Sequence, residues 1–298
     1  MNRIAPEPLL SHDFLRRLER LRHASNEPAR GHLKGLHRAN RRGPGLEFAD
    51  YRAYSEGDEL KSVDWRAYQR HERLYVKLFV EEADLPIYIF LDTSASMAVG
   101  SPSKFHYGRK VAAALAHIGF VNMDRVSLIA VAAGVMQELS SLRGKNQSWP
   151  AFEFLQRLEC GGNTALEAAF KRYFAVPRAK GLIVVISDFL DPAGYQPGLR
   201  VLRNLRQDVL ALQLVSPDDF APAGNDDEVV LVDAENGDES RQLITPALLL
   251  AYRQAFDAHS AAISAYCDRN RWGYVSAMTD ANVETLVLNV LRKEGLLR

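Results

Sequence analysis

The chain has 298 residues, 47% of them hydrophobic, and its 37 Lys/Arg balance 37 Asp/Glu. That composition fits one large globular domain with a smaller appendage, and it predicts no membrane span, because charges and glycines break every apolar stretch short of the ~20 residues a bilayer requires. Two cysteines, Cys160 and Cys267, are too few for a disulfide framework or a zinc site.

The first residues, "MNRIAPEPLLSHDFLRR", contain no apolar core of signal-peptide length, so no secretory signal is predicted and a cytoplasmic location is expected. Charge is unevenly spread: residues 1–45 carry ten Lys/Arg against four Asp/Glu. The stretch "SHDFLRRLERLRHASN" predicts a helix with Phe14, Leu18 and Leu21 on one side. Its basic residues then form a solvated or protein-docking face rather than a nucleic-acid contact. A Gly/Arg-rich link at 35–45 follows, and "LYVKLFV" (74–80) reads as a strand. Residues 1–85 are expected to form an extension packed on a main domain at 86–298.

From residue 86 the pattern changes to strand–helix alternation. "PIYIFLD" (86–92) is a strand apolar on both faces, and 104–122 is a helix. The stretch 125–133 is a strand, with 134–140 able to pair with it as a hairpin. Helices follow at 148–159 and 163–175, a strand at 180–189, a helix at 194–207 and a strand at 208–215. The segment 218–239 holds nine acids and no Lys or Arg, and reads as a solvated loop and hairpin without the ligand spacing of a calcium loop. A long helix at 245–270, with Pro246 in its first turn, a strand at 272–279 and a helix at 280–297 complete the chain. Alternation of this kind predicts an α/β fold with a mainly parallel central sheet and helices on both faces. Its binding crevice lies beyond the carboxyl ends of the strands.

That rule draws attention to "DTSAS" at 92–96, where the first strand ends. Asp92, Ser94 and Ser96 alternate, so in an extended loop they point to one side. One carboxylate and two hydroxyls offer hard oxygen donors, suited to Mg²⁺, Mn²⁺ or Ca²⁺ and not to zinc. Two more strand-end loops can complete the set: Thr164 in "GGNT" and Asp188 in "ISDF". Two carboxylates offset the +2 charge, and five protein donors leave one octahedral position for water or for an incoming Asp or Glu. The competing expectation is that Ser94, Ser96 and Thr164 only cap the helices that follow.

In this order, "DTSASM", "GGNT" and "SDF" resemble the metal-ion-dependent adhesion site of von Willebrand factor A domains. The resemblance spans roughly residues 84–298 and implies a Rossmann-like A domain. It further implies that Ser94, Ser96 and Thr164 are direct or near-direct ligands, with Asp92 and Asp188 ligating directly or through water. Upstream, "GLEFADYRAY", "GDELKSVDWRA" and "LYVK" are similar to the leader of the bacterial domain of unknown function 58 family. That resemblance implies a partnership with MoxR-type AAA+ ATPases acting on other proteins. Many relatives carry two membrane helices ahead of the leader, and this chain shows none there. Within the leader, Asp58, Asp64, Trp65 and Arg66 are candidates for a hydrogen-bonded corner around the indole.

Together these features predict a metal-dependent protein-binding module, an adaptor or co-chaperone for a MoxR-type ATPase or its client. The alternative is a Mg²⁺-dependent hydrolase or phosphotransferase, with Asp92 as nucleophile and His106 as a candidate base. Asp92 resembles an aspartyl-phosphate nucleophile only superficially, because Ser94 stands where such enzymes carry a second carboxylate, and a hydroxyl of ordinary acidity shuttles protons poorly. No phosphate-binding loop and no G-x-S-x-G elbow are present. Catalysis is therefore not expected.

Overall fold

The computed structural model describes residues 9–24, 42–43, 47–55, 58, 63–80, 85–132, 135–219, 228–235 and 237–294. They fall into two compact units, one drawn from 1–34 and 85–298, the other from 35–84.

The smaller unit is a three-stranded antiparallel sheet, β1 (Arg42–Gly43), β3 (Tyr75–Val80) and β2 (Glu47–Ala53), with helix α2 (Trp65–His71). Asp64 starts α2: its Oδ1 accepts the amides of Arg66 (2.9 Å) and Ala67 (3.2 Å), and its Oδ2 accepts the Tyr51 hydroxyl (2.8 Å). Asp58 pairs instead with Arg52 at 2.6 Å and with the Ser55 amide at 2.8 Å. The expected corner around the indole thus takes another form. Trp65 is 55% exposed and lies edge-on to Tyr68, while each carboxylate secures a separate turn.

In the larger unit, α1 (His12–Ala24) buries Phe14 and Leu18 and packs on α3 (Lys104–Val121). The Leu21 side chain lies outside the described residues. The basic helix that the sequence grouped with the leader thus belongs to the unit of the central sheet.

That sheet has six strands, in the order β11 (Gly273–Met278), β8 (Asp208–Val215), β7 (Leu182–Ser187), β4 (Pro86–Asp92), β5 (Arg125–Ala132), β6 (Val135–Arg143). All neighbours are parallel except β6, which returns antiparallel along β5 as the hairpin pattern predicted. Residue 134, the expected start of that return, lies outside the described residues. Strand side chains alternate between two buried layers. Tyr88 and Phe90 join the cluster under α5 (Leu166–Tyr173), α6 (Tyr195–Asn204) and α7 (Pro246–Arg269). Leu91, Ile186 and Leu214 face α3, where a Cβ on Gly108 would stand only 3.0–3.4 Å from their methyls, so the absent side chain lets helix and sheet close up. Helices α4 (Ser148–Arg157) and α8 (Val283–Glu294) pack with α3. Both faces are thus covered, which is why the central strands read as apolar runs without alternation.

The chain order along the sheet reverses between β4 and β7. Strands leaving such a pair in opposite directions open a crevice at their carboxyl ends. Asp92 ends β4 and Asp188 follows β7 directly, so the topology brings these two exits side by side.

Candidate metal site

Asp92 organises the first loop. Its Oδ1 accepts the Ser94 amide at 2.9 Å, turning the chain just past the strand. That turn faces Ser94 Oγ toward Ser96 Oγ, 3.1 Å away. Ser94 precedes a short 3-10 turn, Ala95–Ala98, but its side chain makes no capping bond to it. The hydroxyl pair is therefore not committed to capping. Asp92 Oδ2 accepts the Ser187 hydroxyl at 2.6 Å, tying the exits of β4 and β7 together.

Asp92 is only 1% exposed. Burial first, and then the charge of Asp188, push its carboxyl up to about 6, although the bonds from Ser187 and Ser94 oppose the shift. At neutral pH the pocket thus holds an ionised carboxylate that, among the described residues, no cation contacts by hydrogen bond or ion pair.

Asp188 is equally buried, and it has a cation. Lys104 Nζ lies 2.8 Å from Asp188 Oδ2 and 3.4 Å from Asp219 Oδ1. Burial is the largest influence on that ammonium and lowers its pKa, but Asp188 and Asp219 together outweigh it, so the net shift is upward and Lys104 stays charged. Asp219 is fixed in turn by the Ser216 amide at 2.8 Å. In charge terms Asp219 offsets Lys104, leaving Asp92 and Asp188 to balance a dication. Phe189, next in the chain, adopts φ 59 with its ring buried. A bulky residue in that region is strained and is held there by its surroundings, including a bond from its amide to Ser187 Oγ at 2.9 Å.

The third loop is joined to the first through the backbone: Ala95 N donates to Gly162 O (2.9 Å) and Gly161 N to Thr93 O (2.8 Å). Thr164 is buried, but it does not cap α5, which begins at Leu166 rather than at the expected 163 and has Ala165 in the capping position. Its amide and hydroxyl both donate to Glu235 Oε1, at 3.0 and 2.8 Å.

The structure thus ties Asp92, Ser94 and Ser96 into one hydrogen-bonded loop, places Asp188 on the adjoining strand exit and brings the Thr164 loop alongside. Among the described residues no three His, Cys, Asp or Glu side chains converge closely enough to hold an ion by themselves, so a metal here depends on the hydroxyls. The donor set fits a hard cation: all oxygens, hydroxyls spared from capping, and a buried carboxylate that burial alone disfavours. Sequence reasoning missed Ser187, Lys104, Asp219 and Glu235. The acidic stretch is not merely solvated: a hairpin does form, β9 (Glu228–Val232) with β10 (Glu239–Leu243), but Asp219 and Glu235 turn back toward the site. His106, the candidate base, contacts Arg109 through Nδ1 at 3.3 Å and has its amide capped by Ser103.

A doubly wound sheet with one antiparallel edge strand and hydroxyl-rich loops at its central exits defines an α/β protein of Rossmann-like architecture. More particularly, residues 50–264 match the model of the protein of unknown function DUF58 family, and the chain belongs to that family. Uncharacterized proteins of Mycobacterium bovis and Mycobacterium tuberculosis are 29% identical over 240 residues, covering 78% of this chain and 75% of theirs. Among solved structures, an aerotolerance-related membrane protein from Bacteroides fragilis aligns at 17% identity and a TM-score of 0.41, over 71% of this chain and 98% of that one. The SpRpn10 VWA domain aligns at 13% identity and 0.39, over 70% and 95%. Likenesses at this level carry no argument for function. No helix among the described residues is long and apolar enough to cross a membrane.

Proposed function

We propose that this chain is a protein-binding module whose contact with partners runs through a divalent cation, Mg²⁺ in the first place, held by Asp92, Ser94, Ser96, Thr164 and Asp188. The observation that carries the reading is the state of Asp92: buried at the sheet's switch point, coupled to a second carboxylate, and beside two hydroxyls that cap nothing. A dication supplies the charge that such a pocket lacks and leaves a position for a partner's Asp or Glu. Binding rather than turnover is favoured because Ser94 stands where an aspartyl-phosphate enzyme carries a second carboxylate, and a hydroxyl of ordinary acidity shuttles protons poorly.

The expected partner is a MoxR-type AAA+ ATPase or a protein on which it acts, as the family resemblance implies. The test is association of the full chain with the MoxR-type ATPase of the same organism, in Mg²⁺ and in EDTA. The reading expects binding in Mg²⁺ that is lost in EDTA and lost in Asp92→Ala or Ser94→Ala. Equal binding in all four conditions would contradict it.

A further inference from the structure

Among the described residues the β9–β10 hairpin pairs with no other strand, and both of its strands are largely exposed. A two-stranded ribbon of this kind is marginal by itself. Hydrogen bonds between described residues nonetheless brace its tip. Asp233 Oδ1 accepts the Glu235 amide at 2.8 Å, Asp233 N donates to Asp238 O, Gly237 N donates to Asp233 O, and Gly237 supplies the positive φ that closes the turn. This turn presents Glu235 to Thr164, 71 positions away in the chain. Two donors of one residue converge on Glu235 Oε1. The other oxygen, Oε2, is shut off from solvent and has no hydrogen-bond partner among the described residues. A carboxylate oxygen in that state is costly unless a positive charge meets it. The Thr164 hydroxyl can also give its proton to Glu235 while its lone pairs remain available to a cation.

From this geometry we propose that Glu235 is an acid supplied in cis: the hairpin places it in the corner where a partner's Asp or Glu would enter, and the corner opens to an outside acid only when the hairpin releases Thr164. The proposal rests on the metal-site reading above and adds its regulation. It accounts for Thr164 facing an internal carboxylate, and it gives the acidic segment a task beyond solubility. An external carboxylate must displace a competitor tethered to the same chain, so affinity for it is held down until the hairpin is drawn away.

The test uses the full chain with Mn²⁺ as the ion and acetate as the outside carboxylate, read by water-proton relaxation of bound Mn²⁺. In the unaltered protein relaxivity should be low and little changed by acetate. In Glu235→Ala it should rise, fall again as acetate is added, and report acetate binding about tenfold tighter or more, the loss expected for a competitor held by charge-assisted hydrogen bonds. Glu235→Gln keeps the size of the side chain and should move in the same direction, so the comparison survives if the alanine variant folds poorly. Equal relaxivity and equal acetate response in all three proteins would overturn the role of Glu235 while leaving the metal site standing. Absence of any Asp92-dependent Mn²⁺ signal would overturn both.

Discussion

Replacing Asp92 by Asn should stabilise the metal-free protein at neutral pH and abolish its response to Mg²⁺. The carboxyl of Asp92 moves from its usual 3.8 to about 6 on folding. A folded-state pKa above the unfolded one means that the native protein holds the proton more tightly. Stability from this group is then fully present below pH ~4, is lost as pH rises through about 6, and stays lost above it. A shift of roughly two units corresponds to about 3 kcal/mol. Asn carries no charge, so it avoids that cost. Its oxygen can still accept the Ser94 amide, and Ser187, which now donates to Oδ2, can reverse and accept from the new amide. Weaker hydrogen bonds return about 1 kcal/mol, leaving a net gain of about 2 kcal/mol at pH 7.5. Urea denaturation in EDTA at pH 7.5 and pH 4.5 measures it, and the two proteins should converge at the lower pH. Adding Mg²⁺ at a hundredfold its dissociation constant should stabilise the unaltered protein by about 2.7 kcal/mol and the variant not at all. A variant less stable than the unaltered protein in EDTA at pH 7.5, or equally stabilised by Mg²⁺, would refute the account of Asp92.

Lys104→Met should destabilise the protein by about 3–5 kcal/mol in EDTA, because it strands Asp188 and Asp219 without their ammonium; Mg²⁺ should recover part of that loss, and a neutral effect in urea denaturation would contradict the pairing. Mg²⁺ affinity followed by calorimetry should fall about tenfold per pH unit below pH ~6, since Asp92 must lose its proton to bind, and a flat profile from pH 5 to 7 would count against its role as a ligand. Gly181→Ala should lower the melting temperature by forcing a Cβ to within 2.1 Å of the Pro86 carbonyl oxygen, where β4 and β7 begin, at a cost of about 1–3 kcal/mol or more; an unchanged melting temperature would show that the strands part freely there.

Much of the sheet could be read from the sequence because its central strands are buried on both faces. Runs such as Ile87–Leu91 and Leu182–Ile186 have no polar interruption, and the helices between them begin and end near polar or glycine signals. The strand-exit rule then located Asp92 and Asp188 from local pattern alone. What the sequence could not convey is pairing at a distance. Lys104 looked like the start of an ordinary helix, yet it is buried because Asp188 and Asp219, 84 and 115 positions on, converge upon it. Glu235 sat in a run of acids where no single member stood out, and only the fold of the hairpin turns it toward Thr164. In the leader, the sequence grouped Asp58, Asp64 and Arg66 in one corner around Trp65, whereas Asp64 is drawn to the amides at the start of α2 and Asp58 to Arg52.

The most direct measurement of the central claim is a calorimetric titration of Mn²⁺ into the full chain at pH 7.5, beside Asp92→Asn and Ser96→Ala. Three loops that cooperate around a single cation predict one saturable site per chain, abolished by the first substitution and clearly weakened by the second. No saturable binding, or binding indifferent to both changes, would leave the sheet as described and remove the metal from it.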